Sequence, residues 1–240
     1  MPAPSRRTFL GAAVAVPTTV AVTTLAAPAH AAGYGWTRTL AEGASGEDVR
    51  QLQIRLAGYP GRGAQLALDG SFGPATRAAV ERFQGAYGLD VDGVAGSQTY
   101  AQIYDLQSSD DTPVSFSYAE LNSSGDWSGG MVSASEAMEN AKVTMWKLQA
   151  LRHAMGDSPI TISSGFRDQA HNDAVGGSPT SRHMYGDAAD LIGSHSFCAM
   201  ALQARDHGFG EILGPGYPGH DDHTHVAGAG STWSASVCGI

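Results

Sequence analysis

Ser181-Arg-His183-Met-Tyr-Gly186-Asp-Ala188-Ala-Asp190-Leu191 and His220-Asp-Asp222-His-Thr-His225 are the stretches whose reading decides how this 240-residue chain folds. Together they offer two imidazoles and a carboxylate for one zinc ion, with a spare carboxylate and imidazole beside them. A catalytic zinc site takes three ligands from His and Asp or Glu at about 2.0 to 2.2 Å and keeps a fourth position for water. His183, Asp190 and His225 meet that requirement. On a helix, His183 and Asp190 would stand about 10 Å apart along the axis, which argues against a shared helix. Gly186 permits a turn instead, and Ala188-Ala-Asp190-Leu-Ile192 reads as a short buried strand carrying Asp190 inward. His225-Val-Ala227 reads as a second strand, so the ligands converge from neighbouring strands. The chain holds nine histidines, and solitary ones such as His153 or His207 read as cations favoured at helix C-termini. From composition alone, a metal site and a chance grouping both stay open.

At these residues the sequence resembles the secreted zinc D-alanyl-D-alanine carboxypeptidases. The family pattern Ser-x-His-x-x-Gly-x-Ala-x-Asp is met at Ser181, His183, Gly186, Ala188 and Asp190, and a second pattern at His220, Asp222 and His225. Similarity extends to Trp146-Lys-Leu-Gln-Ala and to Glu211-Ile-Leu-Gly-Pro-Gly-Tyr-Pro-Gly-His220. The resemblance implies one zinc per chain on His183, Asp190 and His225, with Asp222 as general base and His220 stabilising the transition state. Arg167, in Ser164-Gly-Phe-Arg167, matches an arginine that grips the substrate's terminal carboxylate, a task suited to a planar fork. Tyr217 matches a substrate-side position. Asp187, Asp221 and His223 fall outside the expected catalytic set. Cys198 and Cys238 lie in matching segments and are expected to form one bridge, stabilising by about 3 to 4 kcal/mol on the chain-entropy model.

The implied activity is hydrolysis of the D-Ala-D-Ala bond of peptidoglycan stem peptides. Alternatives are endopeptidase action on the cross-links, or a noncatalytic wall-binding protein with a structural metal. No Ser-x-x-Lys, Gly-x-Ser-x-Gly or His-Glu-x-x-His is present, which removes the serine and helix-borne zinc peptidase patterns. Gly214-Pro-Gly216-Tyr-Pro-Gly219 lacks a following helix and reads as a rigid turn presenting His220.

The N-terminus combines Ser5-Arg6-Arg7, an apolar stretch and Ala29-His30-Ala31. That layout predicts a twin-arginine signal over residues 1–31 and a secreted or wall-associated protein, without stable membrane insertion after cleavage. The formal charge of −9 falls by two when Arg6 and Arg7 leave. An acidic chain without a basic stripe is a poor nucleic-acid binder. A monomer is expected.

Upstream, Leu68-Asp-Gly-Ser-Phe-Gly73-Pro-Ala-Thr76 is echoed by Val91-Asp-Gly-Val-Ala-Gly96-Ser-Gln-Thr99. Asp69 and Asp92 read as turn formers, each turn followed by a helix start. Val49, Leu52 and Leu56 share one helical face, as do Ala79, Phe83 and Tyr87 with Val80 beside them. This part resembles the three-helix peptidoglycan-binding domain, which implies peptidoglycan as partner. The expected organisation is that module over 38–104, a linker over 105–115 and a catalytic domain over 116–240. The fold class is α+β, with a small antiparallel sheet flanked by helices. Ser133 opens a helix running to about His153, with Met138, Ala141, Met145, Leu148 and Leu151 as its stripe. A second helix runs from about Ser196 to His207 and stops at Gly208.

Overall fold

The computed structural model describes residues 33–240, and the signal expected at 1–31 lies outside the described residues. The front module consists of α1 (Glu47–Arg55), α2 (Pro74–Ala86) and α3 (Ser97–Leu106). Val49, Leu52, Leu56, Ala79, Val80 and Phe83 pack into one buried core, as their spacing predicts. The repeated phrase is held by something the spacing does not show. Gln53 of α1 donates through Nε2 to Asp69 Oδ1, Ser71 O and Thr76 Oγ1 at 3.0 to 3.1 Å, and accepts the Gly70 N–H. Gln84 of α2 does the same in the second copy, reaching Asp92 Oδ1, Val94 O and Thr99 Oγ1 and accepting from the Asp92 and Gly93 amides. Each buried amide thereby satisfies a turn and the following helix start together. Asp69 and Asp92 act as turn formers, each accepting the N–H two residues on.

The rest of the chain carries α4 (Tyr118–Leu121), α5 (Ala134–Ala154), β1 (Ile160–Ser164), α6 (Gln169–Ala174) and β2 (Ala188–Gly193). It continues through α7 (Phe197–Ala204), β3 (Glu211–Leu213), β4 (Thr224–Ala227) and β5 (Trp233–Ser234). The sheet order is β1-β2-β4-β3-β5. It is antiparallel, as expected, apart from the short edge strand β5, which runs parallel to β3. The chain reverses after β4 and passes beyond β3, itself antiparallel to β4, so β5 must run alongside β3. Met145, Leu148 and Leu151 of α5 and Met200 and Ala201 of α7 pack with Leu191, Ile212 and Val226 from the sheet. Met138 is exposed and does not belong to the α5 stripe. Ser133 caps α5 by accepting the Glu136 N–H. The α7 helix ends at Ala204, and a turn carries the chain on to Gly208. Cys198 and Cys238 are bonded, joining α7 to the C-terminal turn across 40 residues.

Residues 105–115 are not a free linker. The guanidinium of Arg55 is fully buried there, donating to Asp111 Oδ1 at 2.6 Å and Gln107 Oε1 at 2.9 Å. Trp146 of α5 donates its indole N–H to the Asp111 carbonyl, so one cluster joins module, connector and α5. His207 is also committed to this junction. Its Nδ1–H donates to Gly58 O at 2.8 Å, and burial pushes the imidazole toward its neutral form, so it is not the helix-end cation expected. His153 does sit in the last turn of α5, 3.0 Å from Asp157 and stacked on Tyr87 of the module.

Candidate metal centre and cleft

Asp190 and His225 stand directly opposite in the β2–β4 ladder, so their side chains rise from one face as a cross-strand pair. His183 arrives on the 3-10 turn Arg182–Tyr185, which ends at Gly186 with φ 77°. A side chain at Gly186 would collide with the Ala137 carbonyl of α5, so the turn needs glycine for both backbone and space. Arg182 and Asp187 pair across this turn, and Asp187 also accepts the Ala229 N–H beyond β4. Asp187 is therefore a brace of this turn. The three candidate ligand atoms lie within 4.8 Å of one another, all on buried residues.

Hydrogen bonding on the outer edge of each ring fixes what faces inward. His183 Nδ1 is 2.6 Å from the Gly165 carbonyl, which can only accept, so Nδ1 carries the proton. His225 Nε2 is 3.2 Å from Glu211 Oε1 and donates to that carboxylate. In the neutral rings, the lone pairs of His183 Nε2 and His225 Nδ1 then point at Asp190 Oδ1, at 3.2 and 2.8 Å. Three acceptors meeting in a buried place call for a cation, and two imidazoles with one carboxylate suit zinc. Burial pushes His183 down despite Asp190 beside it. Burial opposes ionisation of Asp190 too; where protons on His183 Nε2 and His225 Nδ1 stand in for a cation, their hydrogen bonds outweigh it and hold the carboxyl far below its usual range. His225 is raised because Asp190 and Glu211 overcome its burial.

A cleft of about 480 Å³ opens over this triad, and Arg167, Tyr217, His220 and His223 line it. The turn expected around Gly216 is present, with Asp221 Oδ1 accepting the Gly216 N–H and the Tyr217 ring packing edge-on to His220. Asp221 thus shapes the turn. His220 keeps its ring 5.7 Å from that of His225, its Nδ1 held at 3.0 Å by Pro218 O, and burial lowers its pKa.

Asp222, expected as the general base, has a side chain 90% exposed and is not among the residues lining the cleft. His223, left out of the expected set, is 18% exposed and brings Nε2 to 3.6 Å from Asp190 Oδ1. Asp222 lies behind it, accepting from His223 Nδ1 at 2.8 Å, a bond that lowers the carboxyl's pKa. Both residues lie in the turn that precedes β4, which directs the His223 ring over the triad and the Asp222 carboxylate outward. His-x-His was the signal available in the sequence. Arg167 is also less free than a substrate fork would be. Its Nε and Nη2 donate to Ser164 Oγ and its Nη2 to Asp190 Oδ2 at 2.8 Å, leaving Nη1 without an acceptor among the described residues.

Residues 114–227 match the Peptidase M15 family, and residues 45–103 match the putative peptidoglycan binding domain. A zinc D-Ala-D-Ala carboxypeptidase of Streptomyces albus G is 64% identical over 231 residues, covering 95% of this chain and 91% of its own. An N-acetylmuramoyl-L-alanine amidase, CwlL of Bacillus licheniformis, is 46% identical over 65 residues, 25% of this chain and 18% of its own. A solved peptidoglycan-binding protein from Clostridioides difficile shares 37% identity across 31% of this chain and 44% of that one, with a TM-score of 0.27. The M15 match spans all three candidate ligands and the albus G relative aligns over nearly the whole length, so this chain belongs to the M15 peptidase family.

Proposed function

We propose that this chain is a zinc D-Ala-D-Ala carboxypeptidase, releasing terminal D-alanine from peptidoglycan stem peptides, with His183, Asp190 and His225 holding the metal. The observation that carries the reading is the inward-facing acceptor triad under an open cleft, in a chain 64% identical to a carboxypeptidase of that description. When bound, zinc lowers the pKa of water toward about 7 and polarises a carbonyl. His223 Nε2 takes the proton from water at the cleft floor and later returns it to the departing D-alanine amine. Asp222 holds the Nδ1–H tautomer of His223, the part a carboxylate plays behind a catalytic imidazole. His220, protonated on Nε2 as well as on the Nδ1 held by Pro218 O, offers a donor to the developing oxyanion, and Tyr217 walls the substrate side. Arg167 Nη1 meets the substrate carboxylate, while its other nitrogens hold Asp190 in place.

The front module, taken as 38–104, keeps the enzyme at its polymer and raises the effective substrate concentration. Residues 105–115 join it to the catalytic domain over 116–240. Export by the twin-arginine route through residues 1–31, followed by action outside the cell as a monomer, fits a substrate in the wall. Among the described residues no helix is long and apolar enough to cross a membrane.

The test is release of D-alanine from a diacylated Lys-D-Ala-D-Ala peptide, its loss with a chelator and its return with zinc. No release at full zinc occupancy defeats the reading. His223→Ala is expected to keep zinc and lose at least about a hundredfold in kcat, the low end for general acid–base groups. Asp222→Ala should lose less, and a loss as large as that of His223→Ala would return the base role to Asp222.

A further inference from the structure

Glu211 belongs to none of the sequence patterns that mark the site, yet it reaches the metal triad. The β3–β4 register pairs Leu213 with His225 and Glu211 with Ala227. Alternation puts Glu211 on the same face as Leu213, making it the diagonal neighbour of His225, a separation of about 7 to 8 Å that long side chains can bridge. Its Oε1 reaches 3.2 Å from His225 Nε2, and the side chain is 25% exposed at the edge of the cleft. Gly230 packs over it, where an added Cβ would stand 3.0 Å from the Glu211 Cβ.

We propose that Glu211 is a positioning residue for His225. By accepting the Nε2–H it selects the tautomer whose Nδ1 lone pair faces Asp190, locks the ring plane and strengthens the nitrogen as a ligand. His183 is oriented by a neutral carbonyl, that of Gly165, so the two imidazoles differ, and His225 alone has an anion behind it. Outer partners of this kind typically contribute 10 to 100-fold to metal affinity. The inference rests on the zinc assignment above but not on the peptide substrate.

Three full-chain variants test it: Glu211→Leu, which removes the acceptor at similar size, Glu211→Gln, which keeps a neutral acceptor, and Glu211→Asp, which is one methylene short. Zinc affinity is read by chelator competition without substrate, and the His225 tautomer by imidazole 15N shifts of the zinc-loaded protein. Glu211→Leu should weaken zinc by about 10 to 100-fold, Glu211→Asp nearly as much, and Glu211→Gln by clearly less. Native circular dichroism in Glu211→Gln controls for folding. Zinc affinity within threefold of the parent in Glu211→Leu, or equal losses in Leu and Gln, would overturn the positioning role. Failure of the parent itself to bind zinc would instead overturn the metal assignment.

Discussion

Lys147 is buried on α5, its Nζ donating to Gly208 O at 2.7 Å, and burial pulls its pKa from an ordinary 10.5 to about 8, with Asp187 opposing the shift. The unfolded chain therefore binds more protons than the folded one between pH 8 and 10.5, and stability must rise with pH across that window. Below pH 8 the burial costs about 3 kcal/mol, and about 2 kcal/mol of that is recovered by pH 9.5. Urea unfolding of the zinc-loaded parent and of Lys147→Met at pH 7, 8, 9 and 9.5 isolates the effect, since other groups cancel in the difference. Losing the bond to Gly208 adds an offset that does not vary with pH, so the slope is the quantity read. The chain's two cysteines are bonded to each other, so alkaline thiol exchange does not interfere. Parent stability relative to the variant should climb by about 2 kcal/mol between pH 7 and 9.5. A flat difference would mean that the ammonium keeps water in the folded state, and the linkage argument would fall.

The module and the metal turn offer two further checks. Gln84→Leu strands the buried Gly93 amide and leaves the partly buried Asp92 amide and Val94 carbonyl to solvent, and should cost about 1 to 3 kcal/mol in chemical denaturation; a loss below about 0.5 kcal/mol would show that water replaces the side-chain amide. Gly186→Ala adds left-handed backbone strain of about 1 to 2 kcal/mol and a collision with Ala137 O. Metal analysis should find it depleted of zinc, and full occupancy would show that the turn relaxes.

Strands and helices were legible wherever a short period governed them. The ligand-bearing strands, the Ser133 and Ser196 helix starts and the module core follow from apolar spacing and capping residues, and the structure bears them out. Partnerships between distant segments were not. Gln53 and Gln84 look like polar positions on amphipathic helices, because nothing local says that a turn sixteen or eight residues away will close over them. Arg55 likewise reads as a surface cation until Asp111 and Trp146 arrive around it. In each case the cost of burying a polar group is met by a partner that only the tertiary fold supplies.

The candidate site shows the same division within six residues. His220-Asp-Asp222-His-Thr-His225 announces a metal centre by its composition, but composition does not say which side chains share a face. β4 begins at Thr224, so Asp222 and His223 lie in the turn before it, and burial tells them apart: the His223 side chain is 18% exposed and that of Asp222 90%. Asp222 meets the cleft lining through the 2.8 Å bond from His223 Nδ1. Strand alternation does place Glu211, in phase with Leu213 and hence with His225 across the ladder. Register thus sorts the two acidic residues that the sheet carries around His225. Asp190, directly opposite, can share a metal with it, and Glu211, diagonal, reaches the far side of its ring, whereas Asp222, carried by a turn, bonds to a second imidazole.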